Sequence, residues 1–69
     1  MAVREIESGR IVNVGDHIGS FPEPGSPDLP DVEVKYEGTK DGMVLISFAE
    51  YSDTPTGCYR PEQFGLKIY

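Results

Sequence analysis

The chain has no tryptophan, one histidine and one cysteine among its 69 residues. A lone cysteine, Cys58, cannot close an internal disulfide, so nothing staples the chain covalently, and a reducing, cytoplasmic setting is expected. One histidine and one cysteine also fall short of the paired ligand spacings a zinc site needs, and there is no Asp/Asn-rich loop of the calcium-binding kind. Neither a metal nor a cofactor is expected. The eight glycines form neither a phosphate-binding loop nor a dinucleotide fingerprint. No apolar run approaches the roughly 20 residues of a membrane-spanning helix, and "MAVREIESGR" lacks the apolar stretch of a secretory signal. Catalytic partners are missing as well. His17 follows Asp16 directly, so on a shared strand their side chains point to opposite faces, and the serines and Cys58 have no base to activate them. No residue is assigned a catalytic role, and no enzymatic turnover is expected.

Basic residues are also scarce, with six Lys and Arg against twelve Asp and Glu for a net charge of −6. Such a field repels phosphate backbones and attracts cations, which argues against direct nucleic-acid binding and for a protein partner with a basic surface. The 38% hydrophobic and 26% charged residues support a single core and are too apolar for a disordered chain. Residues 1–69 are read as one domain. At this size about 60% of the unfolded surface is buried, and stability is expected near ~3–5 kcal/mol.

No segment sustains a helical period, so the elements present are strands. Residues 3–18 carry β-branched residues broken by Ser8-Gly9 and Gly15-Asp16, which predicts short strand segments separated by turns. Residues 19–31, "GSFPEPGSPDLPD", hold Pro22, Pro24, Pro27 and Pro30, which excludes a helix or a central strand and predicts a long loop. Phe21 and Leu29 are its sizeable apolar residues, and one or both are expected to pin it to the core. "VEVKYE" at 32–37 alternates, with Val32, Val34 and Tyr36 on one face and Glu33, Lys35 and Glu37 on the other, as in a half-buried strand. "GTKDG" at 38–42 then predicts a hairpin connection, with Gly42 free to take a positive φ. The most apolar run, 43–51, is the expected central strand, and Val44, Ile46 and Phe48 are its core face. A turn at 52–57 leads into "CYR", one helical turn at Pro61–Phe64, and a last strand that returns Leu66 and Ile68 to the core. Together these predict an all-β fold, a small barrel of about five short strands.

"VKYEG", "VLISFAEYSD" and "CYRPEQFGLKI", spread over residues 32–69, resemble the strand order of the SH3-like barrel superfold, in which a 3₁₀ turn precedes the final strand. Within that superfold "FAEYSD" is similar to the Tudor-type pattern, which implies that Tyr51 and Tyr59 stand near a rim where such domains build an aromatic cage. The tryptophan and "ALYDY"-like segment of proline-peptide-binding SH3 domains are absent, so that activity is not carried over.

What remains is recognition. Tyrosine rings are amphipathic and suit interfaces, and flanking carboxylates attract Lys or Arg through ion pairing and cation–π contact, worth about 0.5–2 kcal/mol per pair. The expected binding residues are Tyr51, Tyr59, Glu50, Asp53 and Tyr36. The function read from them is a non-enzymatic interaction module for a basic or aromatic segment of a protein partner. Two alternatives share the acidic surface. One is a small phage- or plasmid-type inhibitor, or nucleic-acid mimic, that occupies a cationic site on a host machine. The other is an oligomeric barrel with a site at a symmetry axis.

Overall fold

The structure is a computed structural model that describes residues 2–25 and 28–69, so Ser26 and Pro27 of the proline-rich segment lie outside the described residues, as does Met1. The strands are β1 (Val3–Glu5), β2 (Ile11–Val12), β3 (His17–Phe21), β4 (Val32–Lys40), β5 (Met43–Phe48), β6 (Gly57–Tyr59) and β7 (Leu66–Ile68). A 3₁₀ turn, Pro61–Phe64, precedes β7 as expected. The all-β class stands, with seven strands among the described residues where about five were expected.

The strands form two antiparallel sheets, a small one ordered β2-β1-β7 and a large one ordered β3-β4-β5-β6. The expected closed barrel is not formed, because the chain interrupts its strands where it passes between sheets. Between β2 and β3 it makes a tight turn in which the Asn13 amide donates to Asp16 Oδ2 at 2.9 Å and the Asp16 amide donates back to the Asn13 carbonyl. Between β6 and β7 it makes the 3₁₀ turn, which ends on Gly65 in the left-handed region at φ 68°. Glycine takes that conformation without the clash a Cβ would bring. The last strand then pairs with the first, Val3 opposite Ile68 and Arg4 opposite Lys67.

The core lies between the sheets. Val34, Val44, Ile46 and Leu66 are fully enclosed, and Val3, Val12, Ile18, Val32, Tyr36 and Phe64 nearly so. Each enclosed aliphatic contributes on the order of 1.5–3 kcal/mol relative to exposure, so a few side chains carry most of the stability available at this size. β4 runs to Lys40, beyond the Glu37 expected, because a bulge between Tyr36 and Gly38 resets its register with β5. The extra residue re-aims the strand without ending it, and Asp41 and Gly42 close the hairpin with φ 52° and 78°. This is the paired positive φ of a two-residue hairpin turn.

The proline-rich loop begins later than expected, since Gly19–Phe21 belong to β3, an edge strand. Phe21 pins it, packing edge-on against Phe64 with ring centroids 5.0 Å apart. Leu29 does not, and is 54% exposed. A second tie joins the loop to the segment after β5, where Thr54 Oγ1 donates to Glu23 Oε2 at 2.5 Å. Among the described residues no helix is long and apolar enough to cross a membrane.

Candidate functional site

β5 ends at Phe48, and the chain turns at once. The Ala49 amide donates to the Glu33 carbonyl at 3.0 Å, which holds the strand end against β4, and the Ser52 amide donates to the Ala49 carbonyl at 2.8 Å. That bond closes a four-residue turn with Glu50 and Tyr51 at its two corners, positions that project outward. Tyr51 is therefore 77% exposed, the most exposed of the large apolar side chains described.

Beside the turn lies a concavity of about 310 Å³ on the outer face of the large sheet, lined by His17, Glu33, Lys35, Ser47, Phe48, Ala49, Glu50 and Tyr51. The strand register builds its floor. Lys35 stands between His17 of β3 and Ser47 of β5, and alternation puts Glu33 on the same face two residues earlier. Two carboxylates and one lysine line the hollow. It can take a positively charged group between Glu33 and Glu50, with an exposed phenol ring at its edge.

The five residues expected to share one face do not all meet. Glu50 and Tyr51 line the concavity, whereas Asp53 is exposed in the following loop and does not line it. Tyr59 faces the interior. Its ring lies 5.4 Å from Phe64 and 6.1 Å from Phe48, edge-on in both cases, and Gly57 leaves room for it, since a Cβ there would come within 3.3 Å of the ring. Tyr36 is a core residue, 6% exposed, and belongs to no contact face. Burial also pushes its phenol pKa above the ordinary 10, because a buried phenolate loses hydration. Tyr36 and Tyr59 occupy inward positions of β4 and β6, opposite Ile46 and Val44, and the alternation that buries those neighbours buries them.

His17, Glu33 and Lys35 were not expected at a site. Alternation already turned Glu33 and Lys35 outward. The sequence did not indicate that β3 would lay His17 beside them, because that neighbour is set by register across the proline-rich loop.

Two carboxyls elsewhere are held ionised below the ordinary 4.5. For Glu5 the Ser8 hydroxyl does most of this, against desolvation, which raises the value, and the Arg10 guanidinium adds to the lowering. The Thr54 and Ser52 hydroxyls do it for Glu23. Both are structural ties at turns. Among the described residues no three or more His, Cys, Asp or Glu side chains gather as a metal site would require. Comparison with protein-family models, with curated proteins and with solved structures finds no match.

Proposed function

We propose that the chain is a non-enzymatic interaction module whose outer large-sheet concavity docks a basic segment of a protein partner. The observation that carries this reading is the turn at 49–52, which fixes an almost fully exposed Tyr51 beside Glu50 and Glu33. Large aromatic rings are enriched at interfaces, and a cation seated between carboxylates and over a ring gains both ion pairing and cation–π attraction. Asp53 adds charge at the approach without lining the hollow.

A pure charge decoy gains least support. A mimic of nucleic acid would present negative charge broadly, whereas this chain also carries an outward row with Arg4 and Lys67 side by side. The SH3-like reading draws support from element order, with a 3₁₀ turn leading into a last strand that pairs with the first. A Tudor-type cage of Tyr51 with Tyr59 draws none, since Tyr59 packs edge-on against Phe48 and Phe64 instead. A cytoplasmic setting fits the single exposed thiol, Cys58.

The test is a binding titration with a fluorescently labelled peptide of alternating lysine and tyrosine. Tyr51→Ala is expected to speed dissociation by at least ~10-fold, as truncating an aromatic anchor does. Glu33→Lys/Glu50→Lys is expected to slow association and to remove its dependence on salt. Equal binding by parent and by both folded variants would refute the reading.

A further inference from the structure

The outer face of the small sheet carries charge of the opposite sign. Arg4 in β1 stands opposite Lys67 in β7 on one side and Ile11 in β2 on the other. Since Val3, Val12 and Leu66 point into the core, alternation turns this whole row to solvent. Two like charges directly opposed across an antiparallel pair destabilise it. Neither cation is paired among the described residues, where the single ion pair joins Arg10 to Glu5. Both lie against the ring of Tyr69, whose centroid is 5.7 Å from the Arg4 guanidinium carbon and 5.3 Å from the Lys67 ammonium nitrogen, and which is 62% exposed. The ring offsets part of the repulsion and leaves both cations facing water. In a chain with twelve acidic and six basic residues, an opposed cation pair with no carboxylate in its row is a local cost. Such a cost, compensated inside the fold only in part by the ring and by the Arg4 hydrogen bond to the Gly9 carbonyl at 3.3 Å, marks a surface that acts outside it.

We propose that this face docks head to tail on the acidic concavity of a second copy, setting Arg4, Lys67 and Tyr69 against Glu33, Glu50 and Tyr51. The proposal rests on the reading of that concavity as a site for basic segments and names one occupant for it. Charge complementarity selects the occupant, for each copy presents one cationic aromatic face and one aromatic face on which Glu33 and Glu50 outnumber Lys35. The two are outer faces of sheets that pack inner side to inner side, so they cannot meet within one chain. The contact is heterologous and generates open chains or rings instead of a closed two-fold dimer. The net charge of −6 on each copy opposes approach at long range, which makes the association weak and visible only at high concentration.

Sedimentation equilibrium over a rising concentration series tests this. The parent chain is expected to gain average mass with concentration. Arg4→Gln/Lys67→Gln is expected to weaken that association at least ~10-fold, as loss of facing charges does. Lys40→Gln/Arg60→Gln removes the same charge from residues outside both faces and is expected to leave the association within ~2-fold of the parent. Tyr69→Ala, a milder change at the same face, is expected to weaken it as well. A parent that stays monomeric at every concentration would overturn the proposal, and so would equal weakening by the two double variants. If the lysine–tyrosine peptide binds the concavity of a strictly monomeric parent, the self-association alone is wrong. If the peptide does not bind either, the reading of the concavity falls with it.

Discussion

β3, β4, β5 and β6 neighbour one another in space in the order they follow along the chain, whereas β1 and β7 come from opposite ends and meet only when the fold closes. The large sheet is thus made of local hairpins, each stabilised soon after its turn forms. The small sheet depends on closure of nearly the whole chain, which costs more entropy before its contacts give anything back. Its inward residues, Val3, Val12 and Leu66, nonetheless cover the core from one side. The difference separates two roles. The small sheet holds the fold together, and the large sheet's outer face is free to carry the proposed site.

The strongest way to break this comparison is to remove the closing strand. Leu66 is fully enclosed, and Leu66→Ala is expected to cost about 2–4 kcal/mol, most of the ~3–5 kcal/mol available. Deleting residues 65–69 should leave an unfolded chain. A truncated chain with a dispersed amide spectrum would show that the large sheet stands alone. A smaller loss, about 1–2 kcal/mol, is expected for Gly42→Ala in the β4–β5 hairpin, where φ is 78° and a Cβ is strained. Urea denaturation measures it, and an unchanged midpoint would contradict the hairpin geometry.

Tyr51→Ala sharpens the contrast from the other side. Its exposed corner position predicts a stability change within about 0.5 kcal/mol, so any loss of binding is a loss of contact and not of fold. The smallest effect concerns the tie between loops. The folded Glu23 carboxyl titrates below its ordinary 4.5 because the Thr54 and Ser52 hydroxyls donate to it. Its stabilisation is therefore complete above pH 4.5 and is lost as pH falls through the folded value. Glu23→Gln should lower stability at neutral pH and converge with the parent in acid. Parallel stability curves down through that range would rule the tie out.

The same contrast explains what could be read from the sequence. The alternation in Val32–Tyr36, the apolar run after Gly42, and the 3₁₀ turn at Pro61–Phe64 are local signals, and they located β4, β5 and the closing turn, although β4 runs on to Lys40 and β5 stops at Phe48, three residues short of the expected Tyr51. The pairing of Val3 with Ile68 depends on contacts between distant segments, as does the seating of the 13–16 turn on β4 through Gly15 and Asp16 with Tyr36, and periodicity records neither. The site divides the same way. Glu50 and Tyr51 were legible as an acidic aromatic pair, though as the end of a strand and not as the turn they form, and Glu33 and Lys35 were legible as an outward face. Tyr59 and Tyr36 were misplaced because a tyrosine on a strand fits a core with its hydroxyl at the edge as readily as it fits a rim. His17 joins the concavity only through the register of β3 with β4.

The central claim is that the outer large-sheet concavity receives a basic segment, and an amide chemical-shift titration with the lysine–tyrosine peptide tests it residue by residue. The account predicts shifts that cluster at His17, Glu33, Lys35, Ser47, Glu50 and Tyr51, saturate together, and vanish in Tyr51→Ala. Shifts confined to the other aromatic surface, around Phe21, Pro22, Gln63 and Phe64, would contradict it and move the site to the proline-rich loop.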